Sequence, residues 1–175
     1  MSATSRFLTL PNLLSLARFP LAAAFVTMES VTTRVALLAA AAFTDLLDGA
    51  LARRHGTTRV GALLDPIADK TFVFLAISTF LWSGELTVGG YFILLSRDFA
   101  TAVGFVVAYF LPGLDPMDFK SRLPGKCVTV LQLLSLLTLL VRPSLFHLLL
   151  PVVAVASVWT IADYTLVLHR RRLRS

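Results

Sequence analysis

The chain is short of charge, of cysteine and of histidine. Only 15% of its 175 residues are charged, with 10 Asp and Glu against 16 Lys and Arg, and it has one cysteine and three histidines. A single cysteine, Cys127, excludes an internal disulfide, and the paired Cys/His spacing of a zinc site is missing. Scarce charge combined with 57% hydrophobic residues and a mean hydropathy of +0.80 excludes an ordinary soluble domain. The formal charge of +6 does not point to nucleic acid, because the basic residues bracket apolar segments and do not interleave with aromatics on a polar face. No short apolar core runs into a cleavage site at the N-terminus, so the first apolar segment is expected to be retained. Internal repeats and low-complexity tracts are also lacking, which suits a single membrane domain over residues 1–175.

What the chain does have is long apolar runs. A hydrocarbon core about 30 Å thick needs roughly 20 residues of helix, and such stretches fall near 12–29, 33–54, 60–83, 87–111, 125–142 and 145–168. The expected fold is therefore all-α, a polytopic membrane protein with six transmembrane helices. The segment "SATSRFLTLPN" could add an N-terminal interfacial helix. Arg6, Arg53, Arg54, Arg59, Lys120, Arg122, Lys126 and the tail "HRRRLRS" gather on one side of this topology, against mainly Arg34 and Arg142 on the other. The positive-inside rule then places both termini in the cytoplasm.

Against this background one stretch stands out, "DLLDGALARRHGTTRVGALLDPIAD", residues 45–69. Asp45 and Asp48 are three apart and Asp65 and Asp69 four apart, so each pair shares a helix face. If the two helices fold back about Gly56, Asp48 and Asp65 lie roughly 12 to 14 Å from the tip and Asp45 and Asp69 about 17 to 20 Å. All four could then meet just inside the cytoplasmic boundary. Four ionised carboxylates in a low-dielectric setting repel one another and are costly to desolvate. An all-carboxylate set suits hard divalent ions such as magnesium, manganese or calcium, and two such ions would balance the charge. Protonated or salt-bridged structural acids are the plainer alternative. Gly49 and Gly61 sit inside expected helix, where each costs about 1 kcal/mol relative to alanine. A closely approaching ligand or tight helix packing would account for them.

Written as a pattern, the stretch is D-x-x-D-G-x-x-A-R, seven residues, then G-x-x-x-D-x-x-x-D. Its eight fixed positions resemble the signature of the CDP-alcohol phosphatidyltransferase family, without departure at any of them, and "PNLLSLAR" is similar to that family's opening segment. The resemblance implies transfer of a phosphatidyl group from a CDP-linked lipid, CDP-diacylglycerol, to an alcohol with release of CMP. It implies two divalent cations, Mg2+ or Mn2+, held by Asp45, Asp48, Asp65 and Asp69, with Asp69 also the general base. It implies that Gly49 and Arg53 approach the CDP moiety, with Thr58 a further candidate, and that the enzyme is a homodimer in a bacterial inner membrane with its active site facing the cytoplasm. Asn12 and Ser15 in the opening segment are candidates for cytidine, with helix capping as the alternative.

The acceptor is read from cations. Arg97, in the fourth apolar stretch, and Lys120, Arg122 and Lys126, before or within the fifth, suit a small anionic alcohol such as a phosphorylated polyol. A salt bridge to Asp98 is the alternative for Arg97, and topology-setting loop charge for the others. "GALLDPIADK", with Pro66 and Lys70, resembles the phosphatidylglycerophosphate synthases of the family, whose acceptor is glycerol 3-phosphate. It is also similar to cardiolipin synthases, which use phosphatidylglycerol; inositol phosphate is another possible acceptor. From a different class, a divalent-cation transporter would also need membrane carboxylates, but its polar positions should spread across the bilayer. Asp163, an acid in the last apolar stretch, has no assigned role.

Overall fold

The computed structural model describes residues 10–55, 61–110 and 123–172, which are helical except at the joints 28–30, 83–87 and 142. Side chains at 10, 11, 52–55, 61–66, 104–110, 123, 124, 126, 164 and 167–172 lie outside the description. The described residues form six helices and no strand: α1 (Leu10–Thr27), α2 (Val31–His55), α3 (Gly61–Trp82), α4 (Val88–Phe110), α5 (Leu123–Val141) and α6 (Pro143–Arg172). Each coincides with one of the six apolar stretches. The largest difference is at α6, whose last turns run on to Arg172.

Local chemistry explains where the helices stop and start. After α3, Gly84 takes φ +76°, a left-handed position that a side chain would disfavour. Thr87 then caps α4, its Oγ1 accepting from Gly90 N at 3.2 Å. Ser30 does the same for α2 through Thr33 N at 3.5 Å. Pro143 occupies the first position of α6, where its missing N–H costs nothing. Hydroxyls inside the apolar helices turn back on their own backbone: Thr79 donates to Leu75 O at 2.9 Å, Ser135 to Leu131 O at 2.8 Å and Thr160 to Ala156 O at 2.8 Å.

The contacts divide the chain into two compact units, Met1–Ser83 and Gly84–Ser175. In the first, α1 packs against both α2 and α3. Phe25 anchors it, fully buried, with edge-on contacts to Phe72 (centroids 5.9 Å apart) and Phe80 (6.3 Å), while Arg34 of α2 lies 5.6 Å from the Phe25 ring centroid. In the second, α6 packs on α4 and α5 around Leu94, Val128, Leu136 and Val153.

Beside this apolar core, two charges are buried while many large apolar side chains face outward. Arg18 and Asp48 are buried, whereas Leu46, Trp82, Leu148, Val155 and Trp159 are two-thirds exposed or more. By length and composition, one stretch among the described residues, Pro143–Asp163, is long and apolar enough to cross a membrane. Asn12–Thr27 and Cys127–Val141 are shorter apolar helices. α2, with Arg34, Asp45, Asp48, Arg53 and Arg54, and α3, with Asp65, Asp69 and Lys70, carry charges within their length that set them apart from an uninterrupted span. The expected interfacial helix falls mostly on residues 2–9, outside the described residues.

Candidate active site

The site grows from one stripe of α1. Asn12, Ser15, Arg18, Ala22 and Phe25 follow at helical spacings of three and four, and all are buried. The lower three are polar, so the stripe is apolar where it meets the phenylalanines of α3 and polar where it meets the acids of α2.

Those acids are Asp45 and Asp48, one turn apart on α2. Asp48 is 4% exposed and takes two donors at Oδ2: the Ser15 hydroxyl at 3.2 Å and Arg18 Nη2. The same Nη2 lies 3.2 Å from Asp45 Oδ1, and Asp45 is 49% exposed. The guanidinium thus sits between one sealed carboxylate and one open to the surroundings. Arg18 is 1% exposed, and its Nε and Nη1 are buried without a hydrogen-bond partner among the described residues. With two acids and one arginine at formal charge, this cluster keeps one net negative charge. Charge-assisted bonds of this kind are the stronger class, and removing one partner of such a buried pair leaves the other uncompensated.

The remaining expected ligands are on α3. Asp69 is half-buried next to fully buried Ala68, and Lys70 follows it. The side chain of Asp65 lies outside the described residues, as does that of Arg53 at the end of α2; Thr58 falls wholly outside. Among the described residues, no three His, Cys, Asp or Glu side chains group closely enough to hold an ion. Whether the residues suit a divalent cation can be tested on the positive charge present, that of Arg18. Asp45 and Asp48 already converge on one guanidinium nitrogen, so the two carboxylates can share a cation, and their oxygen donors are those that hard divalent ions take.

Gly49 follows Asp48 and is half-buried. The second unit has its own polar group. Arg97 Nη1 pairs with Asp98 Oδ1 at 3.1 Å, and Arg97 Nε is buried without a partner among the described residues. Gln132 Nε2 of α5 donates to Asp98 Oδ2 and to Leu94 O, both at 2.6 Å. The salt-bridge alternative for Arg97 is therefore realised. Arg122 and the side chain of Lys126 lie outside the described residues.

Arg18 and Gln132 are not among the residues singled out from sequence, and Asp98 entered only as the alternative partner of Arg97. Arg18 had a signal, a cation in the middle of an apolar stretch, three residues after Ser15 and six after Asn12. Gln132 had none, because its partners lie 38 and 34 residues away on another helix.

Residues 8–162 match the model of the family described as CDP-alcohol phosphatidyltransferase. The CDP-diacylglycerol--glycerol-3-phosphate 3-phosphatidyltransferase of Aquifex aeolicus is 36% identical over 140 residues, 75% of this chain and 75% of the relative. The protein of the same name from Sodalis glossinidius is 33% identical over 138 residues, 71% of each chain. A cardiolipin synthase (CMP-forming) of Rattus norvegicus is 29% identical over 163 residues, 81% of this chain but 54% of the relative, so the chain spans about half of that protein. The match covers both compact units, and the α1 and α2 residues that meet around Arg18 lie within it; the chain belongs to the CDP-alcohol phosphatidyltransferase family and is an enzyme of that class.

Proposed function

We propose that this enzyme is an integral membrane protein that transfers the phosphatidyl group of CDP-diacylglycerol to glycerol 3-phosphate and releases CMP, in phospholipid biosynthesis. The observation that carries the reading is the meeting of buried Ser15, Arg18 and Asp48 with exposed Asp45, inside a chain whose relatives from Aquifex aeolicus and Sodalis glossinidius bear the name of that reaction. The exposed tryptophan, leucine and valine side chains around a buried Arg18–Asp48 pair support a bilayer around the helices. The family match across both units supports one domain over the whole chain. The proposal includes a homodimer in a bacterial inner membrane, with the site and both termini on the cytoplasmic side.

In this reading Asp45, Asp48, Asp65 and Asp69 hold two divalent cations, Mg2+ or Mn2+. When bound, the ions polarise the phosphoryl oxygens and stabilise the leaving phosphate. The chain's own residues do the rest. Asp69 accepts the proton of the acceptor hydroxyl as that oxygen bonds to the lipid-side phosphorus. The bond from this phosphorus to the bridging oxygen breaks, and that oxygen leaves with CMP. Arg53 offers a planar, permanently charged fork to the pyrophosphate, and Gly49, without a side chain, allows close approach. Thr58, Asn12 and Ser15 are assigned to the CDP moiety. Arg97, Arg122 and Lys126 are assigned to the acceptor phosphate by their charge.

The test is a parallel comparison of acceptors. Purified full-length protein with CDP-diacylglycerol and Mg2+ is offered glycerol 3-phosphate, phosphatidylglycerol, serine or inositol phosphate, and CMP and lipid products are measured. The expected result is CMP release with glycerol 3-phosphate. Release with phosphatidylglycerol alone would transfer the assignment to cardiolipin synthesis, which the rat relative's name describes.

A further inference from the structure

Arg18 has no part in the transfer just described, yet it and Asp48 are the two buried charged residues among those described. Its neighbours are specific. One nitrogen, Nη2, meets both Asp45 and Asp48, and Ser15, one turn earlier on α1, braces Asp48 from the same helix. A purely structural arginine would be expected to saturate its donors, since each buried donor without an acceptor carries a desolvation penalty. Here Nε and Nη1 are buried and have no acceptor among the described residues. The guanidinium is therefore committed to the acids through one corner only, with its other two nitrogens still able to take an anionic oxygen.

We propose that Arg18 is a positioning residue that acts as the resident counter-charge of Asp45 and Asp48: it holds the pair together without a metal, weakens divalent-ion binding to it, and couples ion binding to the anionic nucleotide. This rests on the metal reading given above. A divalent ion entering between the two carboxylates meets a positive charge already in place. The phosphates of a nucleoside diphosphate reverse that penalty, because they add negative charge and can accept from Nε and Nη1. Ion and donor then load together, and the ion is held loosely until the donor arrives. A unit charge about 6 Å from a doubly charged ion weakens its binding by about tenfold even at the dielectric constant of water.

The experiment titrates Mn2+ into the purified full-length protein in detergent, following free Mn2+ by electron paramagnetic resonance, with and without CDP. The wild type, Arg18→Met and Arg18→Lys are compared, and the melting temperature of each is measured with and without Mn2+. Arg18→Met should bind Mn2+ at least about tenfold more tightly than the wild type in the absence of CDP. CDP should tighten Mn2+ binding in the wild type and much less in Arg18→Met. Arg18→Lys, which keeps the charge, should stay near the wild type. Mn2+ should raise the melting temperature of Arg18→Met more than that of the wild type, since the ion replaces the missing charge. An Arg18→Met protein that folds only in Mn2+ supports the proposal for the same reason.

Equal or weaker Mn2+ binding by Arg18→Met, an equal effect of CDP in the two proteins, or identical behaviour of the Lys and Met variants would overturn it. So would an Arg18→Met protein that fails to fold with or without Mn2+, which makes the arginine a structural tie. If the wild type binds Mn2+ and the variants match it, the inference alone falls. If neither the wild type nor the variants bind Mn2+, the metal reading falls with it.

Discussion

Each unit of the molecule sets an arginine beside an aspartate, and the two arrangements differ in what they tie together. In the first, Arg18 of α1 reaches Asp48, 30 residues away on α2, and the arginine is 1% exposed. In the second, Arg97 and Asp98 are neighbours on α4, 14% and 17% exposed, and the link to another helix is made by the neutral amide of Gln132. The first pair exists only because the fold brings two helices together; the second would exist in an isolated helix. A charge pair made by tertiary structure and sealed from solvent is costly to break and sensitive to any further ion. One between sequence neighbours contributes little by itself, and the amide bridging it carries the structural burden.

Substitutions should separate these two cases. The largest effect is expected from Asp48→Asn, which strips Arg18 of its buried partner and removes a proposed ion ligand. CMP release should be abolished, and stability should fall by about 3 kcal/mol, as for other broken buried pairs. Urea unfolding in mild detergent, alongside a CMP assay, measures both. Asp69→Asn tests the same unit away from Arg18. Its turnover should drop by roughly 10²- to 10⁴-fold, the range for a lost general base, while the protein still purifies folded. Substantial turnover in that variant would remove Asp69 as the base.

Sequence reading reached the helices because each is a long apolar run closed by a cap or breaker, such as Ser30, Gly84, Thr87 and Pro143. It reached Asp45 and Asp48 because acids in such runs are conspicuous. Arg18 is less conspicuous, a lone cation in an apolar stretch with no acid within four residues of it. Ser15 was assigned to cytidine, and the structure gives it Asp48 as a partner. Neither that bond nor the Gln132 bridge is written in local spacing, since each joins residues more than 30 positions apart. The meeting of α2 and α3 about Gly56 was a geometric expectation; in the structure α1 packs against both helices.

Smaller effects sharpen the contrast. Gln132→Leu leaves Asp98 Oδ2 and Leu94 O without the amide donor and should cost about 1 to 3 kcal/mol, read by the same unfolding experiment, with little change in CMP release at saturating substrate. Arg97→Gln should change stability by less than about 1 kcal/mol, because its ion pair is local and partly exposed. If Arg97 holds the acceptor phosphate, its KM for glycerol 3-phosphate should rise while that for CDP-diacylglycerol stays the same. Loss of stability without that KM change would return Arg97 to a structural role.

The most direct test of the whole account is CMP release from CDP-diacylglycerol and glycerol 3-phosphate by chelator-treated protein, before and after Mn2+ is restored. The account predicts no release in chelator, recovery with Mn2+ in the wild type, and no recovery in Asp48→Asn. Release that persists in chelator, or recovers fully without the Asp48 carboxylate, would contradict it.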